Sequence, residues 1–306
     1  MATHRNRPLI LLCLLTASVP AAFGQDLEPR RWSHLPVDLN VIAAGFGYSD
    51  VDLAFDPVLQ LEDVTADMNT MIVSYVRSFA LAGKSARVDI LVPFQDGEWT
   101  GLLEGSPAST HRNGFADPRI RLSINLLGAP PLKGKAYAQY RGANPVTTTL
   151  GAALSVKVPL GEYDSEKLIN LGKNRFTIRP QIGVLHTRGP WSYELTGSVF
   201  LYTDNNDFFG GSTLQQDPIF ALQAHVVRTF GRGWWLAAGG GWGLGGETEV
   251  DGVNGDNHIG NSIAGASFGM PITKNQGLTI TYLRWRTQEF VGANSDSVVI
   301  GWSVRF

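Results

Sequence analysis

From residue 37 to the C-terminus, apolar residues alternate with small or polar ones at a period of two, in runs of about ten residues. The last run is the clearest. Val298, Ile300, Trp302, Val304 and Phe306 fall on one face, with Val299, Gly301, Ser303 and Arg305 on the other. A period of two puts alternate side chains on opposite sides of an extended chain, so the run is a strand and not a helix. Similar runs begin near Val37, Thr70, Ala86, Asp117, Thr147, Phe176, Trp191, Ile219, Trp234, Ser262 and Leu278, which with the last makes twelve expected strands.

The links between runs are short at residues 82–85, 187–190, 231–233 and 273–276. They are long at 49–66, 95–113, 161–175, 203–216, 246–257 and 287–294. Short turns at one end and long loops at the other are the pattern of an outer-membrane barrel. The expected fold is therefore all-β: a transmembrane antiparallel β-barrel of about twelve strands over residues 37–306, with short periplasmic turns and long extracellular loops. The link at 128–144 breaks the rule, since a short turn belongs there. A cover over the periplasmic mouth is one reading of it.

One face of the runs suits lipid. Trp234, Leu236, Ala238, Gly240, Trp242 and Leu244 share a face. Eight residues between the tryptophans span about 26 Å of strand at ~3.3 Å each. At a tilt of ~40° that is about 20 Å of depth, near the spacing of two aromatic girdles. Arg77 and Arg228 fall on this apolar face near the short-turn end, where a long side chain reaches the interface. Leu283 and Trp285 stand opposite Leu278, Ile280 and Tyr282, and a bulge would account for the change of face.

Residues 1–24 have the make-up of a secretory signal peptide: basic His4, Arg5 and Arg7, then an apolar run over 8–15, then Ala22-Phe23-Gly24 at the cleavage point. The apolar run is too short to cross a bilayer, which takes about 20 residues. Bulky Leu12 before Cys13 argues against a lipoprotein signal. Residues 25–36 then form a short periplasmic N-terminal segment. The single cysteine leaves with the leader, so the mature chain holds no thiol to mispair in an oxidising compartment. Charged residues make up 17% of the chain, against about 25% in a typical soluble domain, and the formal net charge is −2. These values exclude a disulfide scaffold, a strongly basic nucleic-acid binder and a disordered chain.

With the apolar face outward, parity assigns the lumen. One wall carries Arg87, Asp89, Asp117, Arg119, Arg121, Lys157, Arg179, Gln181 and Glu194. The other is thin: Ala221, Gln223, His225, Ala237, Gly239, Gly241, Gly243 and Gly265. As a solute path, the cations would orient an anionic or phenolic head group and the small-residue wall would leave room for an aromatic body. As a brace, arginine–carboxylate pairs would merely stiffen a narrow barrel. Both roles stay open on these residues alone.

Catalytic motifs are weak. The GxGxxG string at 241–246 lies inside a strand, away from the strand–helix junction that a dinucleotide needs. There is no GxSxG elbow and no HxxxH or CxxC, so neither a hydrolase elbow nor a local metal anchor is present. No histidine has a serine two positions on, as the outer-membrane phospholipases require. Asp50-Val-Asp52 and Asp256-Asn-His258 resemble the two pairs of the omptin proteases, whose paired groups activate a water.

Several stretches resemble the family named for the meta pathway of phenol degradation. They include His34-Leu-Pro, Asn40-Val-Ile-Ala-Ala-Gly45-Phe-Gly-Tyr48, Phe55-Asp-Pro57, Leu61-Glu-Asp63 and Tyr75-Val-Arg-Ser-Phe79. Val92-Pro-Phe94, Gly114-Phe-Ala-Asp-Pro118, Leu168-Ile-Asn-Leu-Gly172, Asn174-Arg175 and Asp204-Asn205 belong to the same set, and Val158-Pro-Leu-Gly-Glu-Tyr-Asp164 is the sharpest match. The resemblance implies an outer-membrane, transporter-like barrel and brings no catalytic residues. The long-chain fatty-acid transporters are an analogue in role, but no counterpart of their N-terminal plug is expected in residues 25–36.

The function expected is passive uptake of small aromatic or amphipathic solutes through the outer membrane of a Gram-negative bacterium, with no enzymatic activity, cofactor or metal. An omptin-like rim protease, or a structural or adhesive barrel, is the alternative. Expected partners are outer-membrane lipids and lipopolysaccharide, the barrel-assembly machinery acting on aromatic Phe306, and the small-molecule solute; nucleic acid is not among them. Inward cations on neighbouring strands imply a mild anion preference.

Overall fold

The computed structural model describes residues 27–54 and 61–306. The expected signal peptide, residues 1–24, lies outside the described residues.

Twelve strand positions close into one antiparallel barrel. They are β1 (Asn40–Ala54), β2 (Leu61–Leu81), β3 (Lys84–Leu103), β4 with β5 (Ser106–Phe115 and Arg119–Leu127), β6 (Val146–Lys157), β7 (Thr177–Arg188), β8 (Trp191–Tyr202), β11 (Ile219–Thr229), β12 (Trp235–Gly245), β15 (Ile259–Pro271), β16 (Gln276–Thr287) and β17 (Gly292–Arg305). Each pairs with its neighbour in sequence, and β17 pairs back onto β1 from Val41↔Arg305 to Ala54↔Gly292. β4 and β5 share one place: β5 pairs with the lower part of β3 (Ala86↔Ile124 to Leu91↔Arg119) and β4 with the upper (Phe94↔Phe115 to Leu103↔Ser106). Below β4, closure leaves no unpaired edge, the condition for a sheet in hydrocarbon; β4 pairs with β3 alone, in the part that stands above the lipid band. No helix among the described residues is long and apolar enough to cross a membrane, so the crossing is made by strands.

The expected faces hold. Phe46, Met71, Val73, Ile120, Ile182, Phe220, Leu222, Trp242, Ile300 and Trp302 are exposed on the outside. A water-soluble protein does not expose apolar surface on this scale. Trp234 and Trp242 both lie on that face, and the Trp234 ring meets Phe268 edge-on at 5.6 Å. The Arg228 guanidinium sits over Trp191 and Phe230, 5.1 and 5.0 Å from their centroids, which is how a charge is kept at the short-turn interface.

Four expectations are corrected. The loops at 49–66 and 95–113 are largely strand: β2 runs for 21 residues and β3 for 20, well past the lipid band. Their alternation is masked in sequence because water, not lipid, faces the outer side there. No bulge marks β16, whose pairing with β15 runs regularly from Asn261↔Thr287 to Pro271↔Gly277. Leu283 and Trp285 are simply inward residues. The odd link at 128–144 holds a helix, α1 (Gly134–Ala143). Finally, two expected long loops build a second, four-stranded sheet from β9 (Asn205–Phe208), β10 (Ser212–Gln216), β13 (Thr248–Val250) and β14 (Val253–Asn254).

Candidate functional site

Strand register sets the lumen. Asp89 of β3 faces Arg121 of β5 directly, and Arg119 faces Lys157 of β6. Across the next ladders Ser155 faces Arg179, Gln181 faces Ser198, and Glu194 faces His225. Asp89, Arg119, Arg121, Arg179, Gln181, Glu194, Gln223 and His225 are buried inside, and Arg87 and Lys157 are partly so.

The segment ahead of β1 enters this lumen. The sequence predicts no plug in residues 25–36, yet the described part of that segment, residues 27–36, packs against the barrel wall from within. Leu27 lies among Ile263, Leu283 and Trp285. The Glu28 carboxylate meets Arg119 and Arg121 at 2.9 Å each and Arg31 at 3.8 Å. Arg121 also reaches Asp89 at 3.1 Å, and Arg87 lies 3.5 Å from the same carboxylate. Burial pushes the Glu28 carboxyl up, but the fields of Arg121 and Arg119, a hydrogen bond from Arg121 and the more distant Arg87 together hold it well below the usual carboxylate range. Glu194 accepts the backbone N–H of Arg30 at 2.6 Å and of Trp32 at 3.4 Å.

Trp32 is the most enclosed part, with 1% of its surface exposed. Its indole N–H donates to the Thr196 hydroxyl at 2.7 Å. A Cβ on Gly151 or Gly183 would run into the indole ring, so those two glycines form the slot it occupies. Arg31 donates to the Ser123 hydroxyl at 2.6 Å, and Arg87 donates to the Arg31 carbonyl at 2.7 Å. A void of about 10 Å³ beside them, the scale of one water, is lined by Arg31, Ser85, Arg87, Ser123 and Asn125.

Helix α1 holds the segment where it enters. His34 packs edge-on against Tyr137 and Tyr140, at 4.9 and 5.5 Å. Tyr137 donates to the His34 carbonyl at 2.8 Å, and His34 Nε2 is 2.7 Å from the Pro130 carbonyl.

At the long-loop end the lumen changes character. Val51, Leu53, Val64, Ala66, Met68, Trp99, Ala116 and Leu171 form a buried apolar cluster, with Leu168 and Ile169 against it. The loop at 158–176 is tied down by Asp117, which accepts the Gly161 and Lys173 backbone N–H groups at 3.0 and 2.9 Å. The sequence predicts Asp117 as a lumen charge at the start of strand four. It is buried, but it lies between β4 and β5, not in a strand, and it anchors this loop, because Pro118 interrupts the strand there.

The glycine wall is also less open than expected. The ring of His225 leans over Gly239 and the Gln223 side chain over Gly241, filling the space that the missing Cβ atoms leave. The omptin-like pairs do not converge. Asp50 and Asp52 project outward from β1, while His258 contacts Glu289 at 3.3 Å. Among the described residues, no three His, Cys, Asp or Glu side chains gather closely enough to hold a metal ion. The residues missed from sequence are Leu27, Glu28, Arg31, Trp32, Leu283 and Trp285. The available signal was a tryptophan among charged residues just ahead of the first strand, an odd composition for a free tail.

A closed twelve-strand meander, apolar outside and charged inside, defines an outer-membrane β-barrel, and its place is the outer membrane of a Gram-negative bacterium. The chain belongs to the family described as "Putative MetA-pathway of phenol degradation", whose model matches residues 49–293. It is similar to the crystal structure of an outer membrane channel from Pseudomonas putida F1, with a TM-score of 0.76 and 21% identity over 92% of this chain and 100% of that one. The transport unit of the autotransporter AIDA-I from Escherichia coli aligns with a TM-score of 0.51 and 11% identity, over 93% and 94% of the two chains. The β domain of the Bordetella autotransporter BrkA gives 0.50 and 11%, over 88% and 100%. These likenesses are in fold. No curated protein matches the chain in sequence.

Proposed function

We propose that the protein is a passive channel for small aromatic or amphipathic solutes, and that Arg87, Asp89, Arg119, Arg121, Lys157, Arg179, Gln181, Glu194, Gln223 and His225 line the path. The observation that carries this is the two-part lumen. An apolar cluster around Trp99 stands at the long-loop end, and a ring of guanidiniums lies below it. An aromatic body partitions into the first, and its polar head is read by the second. The family's name, with its reference to phenol degradation, and the channel from Pseudomonas putida support the same reading. No enzymatic role is part of this reading.

Arg31, Arg87, Arg119, Arg121, Lys157 and Arg179 outnumber Glu28, Asp89 and Glu194, so the lumen keeps a positive field although its charges are partly paired. A mild anion preference in a planar bilayer is expected. Liposome swelling with a panel of aromatic acids and alcohols tests the channel reading, and impermeability to all of them by folded protein would sink it. Lipopolysaccharide around the barrel and the assembly machinery at Phe306 belong to the same proposal. The Phe306 backbone exchanges hydrogen bonds of 3.1 and 3.0 Å with Asn40, and its ring is 65% exposed. Deleting Phe306 should lower the heat-modifiable, folded fraction in membranes; undiminished assembly would remove that partner.

A further inference from the structure

Resting on the channel reading, we propose that residues 27–33 are a displaceable occupant of the channel's own solute site, and that the site takes aromatic carboxylates. The Glu28 carboxylate holds the place of a solute carboxylate between Arg119 and Arg121 of the barrel wall. The Trp32 indole holds the place of an aromatic ring in the slot made by Gly151 and Gly183, with Thr196 as hydrogen-bond partner.

The chemistry of the two contacts carries the assignment. A carboxylate set 2.9 Å from each of two wall guanidiniums, Arg119 and Arg121, has the geometry of a bound anionic ligand. The aromatic slot needs two glycines on adjacent strands, Gly151 of β6 facing Gly183 of β7, and any side chain there would fill it. Glycine inside a strand weakens it, and a close approach by a ring is a physical reason for its presence.

Displacement then works by exchange. If Glu28 left and nothing replaced it, Arg119 and Arg121 would lose a buried counter-charge, which is strongly unfavourable. An entering carboxylate removes that penalty, and its ring restores the burial that Trp32 gives up. The segment has a natural pivot, because α1 grips His34 through Tyr137 and Tyr140 and leaves residues 27–33 held by side-chain contacts and by the Glu194 carboxylate. A neutral aromatic alcohol offers only the ring, and an aliphatic acid offers only the charge. Neither matches both contacts.

The test uses the full chain reconstituted in liposomes, with benzoate, benzyl alcohol and acetate as probes. The mature chain has no cysteine, so Leu27→Cys places one reporter thiol at the buried tip. Benzoate is expected to raise its labelling by a water-soluble thiol reagent several-fold, while benzyl alcohol and acetate leave the rate unchanged. Glu28→Gln in the same background should raise labelling without any probe. Backbone amide exchange of residues 27–33 in the unmodified protein gives the same answer without a variant, and should accelerate in benzoate alone. Benzoate flux with no change in labelling or exchange overturns this proposal and leaves the channel reading intact. Displacement by benzoate without flux supports the proposal and counts against the channel reading. Equal acceleration by all three probes overturns the ligand class.

Discussion

The two ends of the lumen are filled by opposite physics. Around Trp99, at the long-loop end, apolar side chains from β1, β2 and β3 pack with Leu168, Ile169 and Leu171 of a long loop. Burial there is non-directional and scales with area, so neighbours can shift and still be satisfied. Around Glu28 the contacts are charged and directional, in a network where Glu28 and Asp89 share their arginines. Removing one partner leaves another buried and unpaired, which costs more than the pair itself was worth. The apolar end therefore suits a passage where many shapes must be tolerated. The ionic end suits a point where one chemical group is recognised, and it is also where the chain inserts its own carboxylate.

That contrast can be broken or sharpened by substitution. The largest effect is expected from Trp99→Ala, which empties a site only 2% exposed and should cost about 3–5 kcal/mol of barrel stability. Urea unfolding followed by gel mobility reads this, and ion selectivity should not move. A change in selectivity would mean that the apolar end also reads charge. Next comes the double change Arg119→Ser with Arg121→Ser. It strips Glu28 of its two closest partners, with a loss of about 3 kcal/mol on the scale of broken buried pairs. Reversal potentials in a planar bilayer should show the anion preference falling or reversing. An unchanged preference would assign the selectivity elsewhere.

Gly183→Ala is smaller and more local. Its new Cβ meets the Trp32 indole, and overpacking of this kind costs about 1–3 kcal/mol. The segment should loosen, raising single-channel conductance while the barrel melts as before. The smallest effect is expected from Met68→Leu, a volume-conserving swap at a fully buried apolar position, worth less than about 1.5 kcal/mol. Its counterpart at the other end, Glu28→Gln, is equally conservative in shape and should still release the segment. If both swaps were silent, the distinction between the two ends would collapse.

Much of the barrel was legible because lipid and lumen impose opposite demands on alternate residues. Strands such as β11 and β12 carry that demand along their whole length, and their faces and starting points match the expected ones closely. Legibility failed where the outer solvent changes. Above the lipid band, β2 and β3 face water, the contrast between their faces falls, and strand reads as loop. It failed again at Leu283 and Trp285, which look misplaced in a charged lumen until Leu27 is found against them.

Sequence alone determined the class of the protein, because a period of two and the alternation of loop lengths are local properties of the chain. It also determined which charges on the strands face inward, since parity along a strand fixes that. Only the tertiary structure decided what those charges meet. Glu28 and Arg119 are 91 residues apart, and Trp32 and Thr196 are 164 apart. No periodicity links positions so distant, and residues 27–33 form no strand whose parity could be read. Their place follows from closure of the barrel, which creates a low-dielectric interior where unmatched guanidiniums are costly and a nearby carboxylate and indole can satisfy them.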